Sequence, residues 1–449
     1  MKTVIICGLG REGEAALDYL QANHPETDII ASEDREEVRR RVAQAWAGKP
    51  HRIVWTARER LLGEFLPAAA PEATLLLRSP GIPPENPVIA AARERNIRTT
   101  TFTGFWAEEH ASRVPATVTG TKGKSTTTTL AAAILSGAGT DTAASGNIGL
   151  IPSEIGDVGT RVLLELSSYQ LVDFPAAAPV HAITNLYRDH LDWHGGFEAY
   201  AKAKAAPAIA DPGIATLLRR ADREHLSKWI ERPLFVEDIV HLDGANIRIR
   251  HAERSVTFEA PEWLRVKLEQ SAIVRENARM ALAIATLVHG APDEALGQSF
   301  VAALSQDMQL PSRCEPAGDF AGRTWIDDAL ATIPEATLAA LRSVPAPEVR
   351  LIAGGKDRGQ NFRELSDYLN RHAVRITVHA YGPTAERLAA TVRNIRLADS
   401  LEDALRQALK ESAPGAVLLF SPAAASFEPD TTYVERSRRF REFARNAGD

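Results

Sequence analysis

Cysteine is scarce in this sequence, which has only Cys7 and Cys314 among 449 residues. They lie far apart and match neither a zinc pattern nor a catalytic thiol pattern, so a reducing, cytoplasmic location is expected. Long apolar runs are also lacking, because no segment reaches the roughly 18 apolar residues of a membrane span. The first apolar run is too short for a signal peptide and leads directly into a glycine turn. We therefore expect no membrane partner.

Positive charge is not in excess, with 52 Lys and Arg against 58 Asp and Glu and a net charge of −6. This balance gives no support for a nucleic-acid partner. Arginines do cluster at 436–441, but glutamates interleave with them, so a solvated helix face is expected there. The composition, 45% hydrophobic and 24% charged, is typical of a globular enzyme. The chain is longer than a single domain with one hydrophobic core usually is, so about three domains are expected.

Alternating strand and helix patterns predict the α/β fold class. Three domains are expected: a Rossmann-like domain at 1–112, a P-loop α/β domain at 113–309 and a second Rossmann-like domain at 310–449. The region 236–258 is predicted to be richer in β-strand than the rest of the second domain, and a long helix is predicted at 275–288. The predicted strands are 4–7, 28–31, 53–56, 75–77, 114–118, 162–166, 182–185, 324–326, 349–353, 375–380 and 416–420.

A glycine-rich turn, Gly8-x-Gly10-x-x-Gly13, follows the first predicted strand and opens a helix. With Glu33 or Asp34 about 20 residues further on, it matches the dinucleotide fingerprint. NAD, another nucleotide-like ligand and a purely structural turn all remain open. A second nucleotide loop further along weakens the NAD interpretation, because hydride transfer does not need a triphosphate site.

That second loop is Thr-Gly-Thr-Lys-Gly-Lys-Ser-Thr at 119–126, between an apolar strand and a helix-prone run. Its glycines let backbone N–H groups converge, Lys124 can reach terminal phosphates, and Ser125 can offer its hydroxyl to Mg²⁺. The strict pattern fails because position 118 is Val, so an unrelated turn remains the alternative. The residues predicted to bind ATP here are Gly120, Thr121, Lys122, Gly123, Lys124, Ser125 and Thr126.

Carboxylates and imidazoles follow the next two predicted strands. Glu165 ends one of them, where α/β ligand sites form, and could bind a hard cation. The segment 189–194 then holds two aspartates and two histidines. Zinc is disfavoured, because the glutamate of H-E-x-x-H is missing and no cysteine is near. Mg²⁺ is the better match, against the alternatives of an exposed strand-end glutamate and a polar helix entry.

Four ordered stretches resemble motifs of the Mur ligase family, the ATP-dependent enzymes that add amino acids in peptidoglycan synthesis. They are Gly-Thr-Lys-Gly-Lys-Ser-Thr at 120–126, Gly-Asn-Ile-Gly at 146–149, Glu-Leu-Ser-Ser-Tyr-Gln-Leu at 165–171 and Asp-His-Leu-Asp-Trp-His at 189–194. The resemblance covers essentially the whole chain. The third stretch is typical of the member that adds glutamate to UDP-N-acetylmuramoyl-L-alanine. An acyl-phosphate mechanism, small-molecule substrates and a monomer are therefore expected.

The resemblance also implies roles for individual residues. The implied catalytic residues are Lys124, Glu165, His190 and Lys204. Two Mg²⁺ ions are expected, one on Ser125 and Glu165 and the other on Glu165, His190 and a carbamylated Lys204. Without the resemblance, a lysine in this alanine-rich helix would be taken as solvent-facing. Further ATP contacts are implied at Asn147, Asn277, Arg313 and Asp328, precursor contacts at Gly10, Arg11, Ser79, Gly81, Ser167 and Gln170, and amino-acid contacts at Arg358, Ser426 and Tyr433.

The pattern departs from the usual glutamate-adding member near its third domain. Leu330 replaces the usual lysine, Ile273-Val274 replaces His-Asn, and Ser312 replaces a histidine. We therefore expect addition of L-glutamate, with a separate epimerase acting on the product. The alternative is the same reaction with D-glutamate, through a pocket retuned by Asp327 or Arg358. An NAD-dependent oxidoreductase, a nucleotide-sensing protein and a folate-polyglutamating ligase are more distant alternatives.

Overall fold

The computed structural model describes residues 2–49, 52–148, 150–156, 159–175, 178–305, 314–357, 360–426 and 433–447. These residues form two compact units. The first unit comprises 1–186, 198–265 and 276–305, and the second comprises 187–197, 266–275 and 306–449. The boundary predicted near residue 112 falls inside the first unit, so the three-domain division stays a prediction.

The first sheet is parallel, with strand order β3-β2-β1-β4-β5. Its strands are apolar on both faces because helices cover them, and Val4, Ile5 and Ile6 are fully buried. This strand order is the Rossmann type. The strands are β1 (Thr3–Cys7), β2 (Asp28–Ser32), β3 (Ile53–Thr56), β4 (Thr74–Arg78) and β5 (Arg98–Thr100), and the longer helices are Arg11–Asn23, Glu36–Ala45, Pro87–Glu94 and Phe102–Glu109.

The second sheet is also parallel, with order β11-β10-β9-β6-β8-β7. The helix after the phosphate loop, Lys124–Gly137, packs against it with an apolar face that includes Leu130, Ile134 and Leu135. The strands are β6 (Ala116–Thr119), β7 (Thr142–Gly146), β8 (Arg161–Glu165), β9 (Val180–Ile183), β10 (Ala215–Leu218) and β11 (Leu234–Phe235). The other helices of four or more residues in this part of the chain are Ser168–Leu171, Leu191–His194, Phe197–Lys204, Ala206–Ala210, Arg223–Leu226, Val236–Ile239, Glu262–Gln270, Ala272–His289 and Glu294–Ser305.

A small antiparallel sheet, β12-β13-β14, completes the first unit and confirms the β-rich region predicted near 236–258. Its strands are β12 (Val240–Asp243), β13 (Asn246–His251) and β14 (Arg254–Glu259). Isoleucines alternate with arginines along β13, so the apolar side chains lie on one face and the charged ones on the other.

The second unit contains a sheet of order β15-β16-β20-β17-β18-β19, in which only β15 runs antiparallel to its neighbour. Its strands are β15 (Glu315–Phe320), β16 (Arg323–Asp327), β17 (Val349–Gly354), β18 (Ile376–Tyr381), β19 (Ile395–Ala398) and β20 (Val417–Phe420). Its helices are Pro334–Ser343, Arg363–Arg371, Ala385–Ala389, Leu401–Glu411 and Tyr433–Asn446. The predicted α/β class is confirmed.

Two expectations need correction. The strand predicted at 182–185 is Val180–Ile183, because Thr184 and Asn185 leave the sheet to bind the phosphate loop. The arginines at 436–441 are not all solvated, since Arg436 is buried and Arg441 forms an ion pair with Asp327. None of the described helices is both long and apolar enough to cross a membrane.

Candidate active site

Three neighbouring strands bring two of the sequence motifs, together with Thr184 and Asn185, to one edge of the second sheet. Strand β6 lies between β8 and β9, with Val118 opposite Glu165 and Thr119 opposite Ile183. All three strands are parallel, so their carboxyl ends meet at the same edge. The phosphate loop follows β6, the stretch 165–171 begins at the end of β8, and Thr184-Asn185 follows β9. This edge of the sheet is the candidate active site.

The two glycines of the phosphate loop are required by its geometry. Gly120 has φ 144° and Gly123 has φ 79°, both in the region that favours glycine. A Cβ on Gly120 would lie 1.9 Å from Thr184 Oγ1, and one on Gly123 would lie 2.3 Å from Asn277 Oδ1. Gly123 also caps the N-terminus of the helix Lys124–Gly137. The loop therefore presents a helix N-terminus, which favours anions. Asn277 lies beside Gly123, and its contact with the nucleotide stays a prediction.

Side chains after β9 hold the loop in place. Lys122 N donates to Asn185 Oδ1 at 2.8 Å, and Lys122 O accepts from Asn185 Nδ2 at 2.8 Å and Thr184 Oγ1 at 2.6 Å. Thr121 N donates to Asn185 O at 2.9 Å, while Lys124 Nζ donates to Thr121 O at 3.1 Å. The loop is thus preorganised by protein contacts. The sequence interpretation missed Thr184 and Asn185, although a polar pair at a strand's carboxyl end was the available signal.

Glu165 has one unsatisfied oxygen. The residue is 1% exposed, and its Oε1 accepts from Asn147 Nδ2 at 2.9 Å. Within the described part of the chain, Oε2 is buried and has no hydrogen-bond partner. Burying a carboxylate oxygen without a partner is costly, and a bound cation removes that cost. Glu165 therefore fits the Mg²⁺ that the sequence predicted at this edge.

Asn147 is positioned by the backbone of the motif 146–149. Gly146 has φ 94°, and a Cβ there would lie 2.4 Å from Glu165 O. This close approach allows Asn147 N to donate to Glu165 O at 2.9 Å. Gly149, the last residue of the motif, lies outside the described residues. The side chain of Asn147 thereby orients the carboxylate of Glu165.

Lys204 is buried rather than solvent-facing, with 1% exposure. Its Nζ donates to Gly120 O at 2.8 Å and to Thr119 Oγ1 at 3.3 Å, and lies 4.7 Å from the centre of the Tyr200 ring. The amine therefore lies directly under the phosphate loop. Because Thr119 Oγ1 also donates to Leu166 O at 2.8 Å, one hydroxyl connects Lys204 with the backbone next to Glu165.

A buried histidine that the sequence interpretation missed supports Lys204. His181 Nε2 lies 2.8 Å from Lys204 O, and its Nδ1 lies 2.8 Å from Thr117 Oγ1. The pKa of His181 is lowered to about 4, mainly by burial and in smaller part by the nearby charge of Lys204, against the opposing effect of the hydrogen bond to Lys204 O. A neutral ring with its proton on Nε2 satisfies both contacts, because a carbonyl oxygen can only accept.

The remaining predicted metal ligands are Ser125 and His190. Ser125 is half-buried in the first turn of the helix Lys124–Gly137. His190 belongs to the second unit, where it has φ 52° and its backbone N donates to Asp189 Oδ1 at 2.9 Å. In the described ranges, no three His, Cys, Asp or Glu side chains form a group able to hold a metal. The complete ligand set, which includes a hydroxyl and a modified lysine, stays a prediction.

The glycine-rich turn of the first sheet faces the loop after β4. A Cβ on Gly8 would lie 2.7 Å from Ser79 Cβ, and one on Gly10 would lie 3.8 Å from Ser79 Oγ. The structure therefore brings together Gly10 and Ser79, two of the predicted precursor contacts. Arg11 and Gly81 are exposed near them in sequence.

The two acidic residues of the dinucleotide fingerprint are engaged by protein. Glu33 Oε2 accepts from Leu9 N at 3.1 Å, and Oε1 pairs with Arg35 at 3.1 Å. Burial raises the pKa of Glu33, but the hydrogen bonds from Arg35 and Leu9 outweigh it, so the net direction is downward. Asp34 forms an ion pair with Arg58. Glu33 thus serves to fix the glycine-rich turn.

Gln170, a predicted precursor contact, is held within the protein. Its Nε2 donates to Glu12 Oε1 at 2.6 Å and to Thr103 Oγ1 at 3.3 Å. Its Oε1 accepts from the backbone N and hydroxyl of Ser167 at 2.9 and 3.0 Å. Burial raises the pKa of Glu12, against the hydrogen bonds from Thr103 and Gln170. Ser167 caps the helix Ser168–Leu171, so this network connects that helix to the helices Arg11–Asn23 and Phe102–Glu109.

In the second unit, Asp327 is the last residue of β16 and Asp328 follows it. Asp328, the predicted ribose contact, accepts from Ser421 Oγ at 2.6 Å and from Cys314 N at 3.2 Å. Asp327 is fully buried and accepts from Ser437 Oγ at 2.5 Å and Arg441 Nε at 2.7 Å. The terminal helix therefore neutralises Asp327.

The predicted amino-acid contacts also belong to the second unit. Ser426 Oγ is buried and has no hydrogen-bond partner among the described residues, and Tyr433 begins the terminal helix. Lys356 Nζ pairs with Asp192 Oδ2 at 3.0 Å, which connects the segment 187–197 with the loop after β17. The predictions at Arg313 and Arg358 lie outside the described residues.

Comparisons with known proteins match the same regions. The family model described as Mur ligase middle domain matches residues 118–234, and the one described as Mur ligase, glutamate ligase domain matches residues 312–424. The first match contains the phosphate loop, Glu165 and Lys204, and the second contains Asp328.

Curated relatives align over nearly the full chain. A UDP-N-acetylmuramoyl-L-alanine–L-glutamate ligase of Micromonospora sp. is 30% identical, covering 99% of this chain and 97% of the relative. One of the same name from Xanthomonas campestris is 32% identical, covering 99% and 95%. A UDP-N-acetylmuramoylalanine–D-glutamate ligase of Geobacter metallireducens is 31% identical, covering 98% and 96%.

A solved structure supports the fold. The MurF ligase of Thermotoga maritima in complex with ADP aligns with a TM-score of 0.56 at 16% identity, covering 99% of this chain and 94% of that one. At this identity the likeness shows the fold alone. The full-length relatives settle the family that the sequence motifs resembled. The chain belongs to the Mur ligase family.

Proposed function

We propose that the protein is an ATP-dependent ligase that joins glutamate to UDP-N-acetylmuramoyl-L-alanine. The main support is the similarity, over nearly the full chain, to ligases named for that reaction. In addition, the phosphate loop suits a nucleotide, and the unsatisfied oxygen of Glu165 suits a cation. The comparisons give no support to an NAD-dependent oxidoreductase, and the carboxylates that the dinucleotide fingerprint would use for the ribose are engaged within the protein, Glu33 by Leu9 and Arg35 and Asp34 by Arg58.

The proposed reaction has two steps. A carboxylate oxygen of the precursor attacks the γ-phosphorus of ATP, ADP leaves, and an acyl phosphate forms. The amine of glutamate then attacks the acyl carbon, phosphate leaves, and the nitrogen loses a proton to give the amide. In both steps the chain's own contribution is positioning: the loop N–H groups and Lys124 hold the phosphates where the precursor carboxylate can reach them.

Two Mg²⁺ ions are proposed, on Ser125 and Glu165 and on Glu165, His190 and Lys204. Bound there, they would neutralise charge on the phosphate oxygens. The buried Oε2 of Glu165 supports this assignment. An ammonium group cannot ligate a cation, so Lys204 must first lose a proton to become an amine. The amine nitrogen then adds to the carbon of CO₂ and loses a second proton, which gives a carbamate with oxygen ligands. The remaining implied roles of Asn147, Asn277, Asp328, Ser426 and Tyr433 are carried over as part of the same proposal.

We further propose that the amino acid added is L-glutamate, which a separate epimerase would later convert within the product. Relatives named for either enantiomer are about equally similar, so the support comes from this chain's residues. Leu330 stands where a lysine is usual, and a charge-assisted contact is worth about 1.5 to 3 kcal/mol. Asp327, which the alternative with D-glutamate would use, has its Oδ2 engaged by Arg441 and Ser437, which favours the L-enantiomer.

Incubation with the precursor, ATP, Mg²⁺ and each glutamate enantiomer tests both levels of the proposal. We expect phosphate release and an amide product of the correct mass with L-glutamate, and neither with Lys124→Ala. Turnover with D-glutamate alone would overturn the stereochemical proposal and keep the ligase. Absence of phosphate release with either enantiomer would overturn the ligase itself.

A further inference from the structure

Arg78 is a buried charge outside the sites described above. It ends β4, its side chain is 0% exposed, and it follows the apolar run Leu75–Leu77 that the sequence predicted as a strand. Placing a guanidinium in the interior is costly unless its donors are satisfied. The contacts of Arg78 show which groups satisfy its donors.

The guanidinium connects two segments. Its Nε and Nη2 both contact Asp173 Oδ2 at 2.8 Å, and Nη2 also donates to Tyr169 O at 2.9 Å. On the other side, Nη1 donates to Ile82 O at 2.7 Å and Pro80 O at 3.0 Å. Arginine suits such a position because its donors form a rigid planar fork.

These two segments are parts of the proposed site. The loop 79–82 carries Ser79, which faces the glycine-rich turn at Gly8 and Gly10. The helix Ser168–Leu171, with Tyr169 inside it, begins three residues after Glu165. Arg78 therefore sets the position of the nucleotide-binding loop relative to the strand end that carries Glu165.

Three further contacts hold the segment 167–173. Thr100 Oγ1, at the end of β5, donates to Asp173 O at 2.9 Å, and the exposed Arg93 pairs with Asp173 Oδ1. Gln170 Nε2 donates to Glu12 Oε1 in the helix Arg11–Asn23. Of the contacts described here, those of Arg78 connect this segment with the loop 79–82.

We propose that Arg78, held by Asp173, is a positioning residue for the UDP-precursor. This inference rests on the proposed function. The precursor must bind its nucleotide near Ser79 and present its carboxylate near Glu165, so the separation of these two points decides whether the carboxylate reaches the γ-phosphate. Arg78 keeps that separation constant without touching the substrate.

The test measures binding of UDP-N-acetylmuramoyl-L-alanine by calorimetry, and then KM for the precursor and for ATP. Arg78→Lys keeps the positive charge next to Asp173, but one ammonium group cannot donate at the same time to Tyr169 O and to the carbonyls of Pro80 and Ile82. We expect Kd and KM for the precursor to rise at least tenfold, with KM for ATP within twofold of wild type. Arg93→Ala is the matched control, because it removes an exposed partner of the same Asp173 but keeps the hydrogen bonds of Arg78 to Pro80 O, Ile82 O and Tyr169 O; it should change neither constant.

Equal increases for both substrates, or no change for the precursor, would overturn the proposal. If Arg78→Lys does not fold, Asp173→Asn serves instead, because it keeps an acceptor for the guanidinium and removes the charge. A selective loss of precursor affinity supports positioning, and unchanged affinity refutes it. Wild-type protein that binds no precursor would instead refute the proposed function, so the two failures are distinguishable.

Discussion

The anchoring of the phosphate loop by Asn185 gives the sharpest prediction. Asn185→Ala removes the two side-chain hydrogen bonds to Lys122, at 2.8 Å each, while leaving the loop sequence intact. A net hydrogen bond is worth about 0.5 to 1.5 kcal/mol, so the two together contribute about 1 to 3 kcal/mol. These hydrogen bonds help to keep Gly123 and Lys124 in the geometry that binds phosphate.

We expect kcat/KM for ATP to fall about 10- to 100-fold, since each 1.36 kcal/mol of lost positioning is a factor of ten. KM for glutamate should change less than twofold. Initial rates of phosphate release, measured against ATP and then glutamate concentration, provide both constants.

Asn86→Ala is the matched control for this experiment. Asn86 Oδ1 accepts from Val88 N at 3.1 Å and caps the helix Pro87–Glu94, so its loss costs a similar free energy of unfolding, about 0.5 to 2 kcal/mol. It should leave KM for ATP unchanged. If Asn185→Ala behaves like Asn86→Ala, with lower stability and unchanged ATP kinetics, the preorganisation argument is wrong.

Three further predictions follow from single positions. Gly123→Ala puts a Cβ 2.3 Å from Asn277 Oδ1 at φ 79°; we expect ATP binding to weaken at least tenfold by calorimetry, and unchanged affinity would contradict the loop geometry. Glu165→Gln should abolish the rise in Tm that Mg²⁺ gives the wild-type protein, and a rise of the same size would remove Glu165 from the metal site. Burial lowers the pKa of His181 in the folded protein to about 4, so on acidification this histidine binds its proton in the unfolded chain first. The free energy of unfolding should therefore fall by about 3 kcal/mol as the pH drops from about 6.5 to 4. Urea unfolding of His181→Gln should show a flatter pH dependence, and an unchanged slope would rule out His181 as its cause.

The parallel strands could be predicted because burial on both faces leaves continuous apolar runs. Ile53–Thr56 is predicted to the residue, and Thr3–Cys7 within one residue. The prediction fails at β9 for a specific reason. Thr184 and Asn185 directly follow the strand, but their hydrogen bonds go to the phosphate loop and the strand ends at Ile183.

Burial of polar residues was harder to read from the sequence. Lys204 and Arg78 each sit in segments whose local pattern gives no sign of an interior cation, because their partners are backbone carbonyls and residues distant in sequence. Arg436 likewise belongs to a charged run but is buried against Ala424 O. Such contacts depend on tertiary packing, whereas glycine motifs and strand-end carboxylates are local and were found.

Product analysis with the two glutamate enantiomers tests the central claim most directly. Purified protein is incubated with UDP-N-acetylmuramoyl-L-alanine, ATP and Mg²⁺, and phosphate and the amide product are quantified together by colorimetry and mass spectrometry. The account predicts one phosphate per amide formed, with L-glutamate as the preferred substrate. Phosphate release without an amide, or an amide from D-glutamate only, would contradict it.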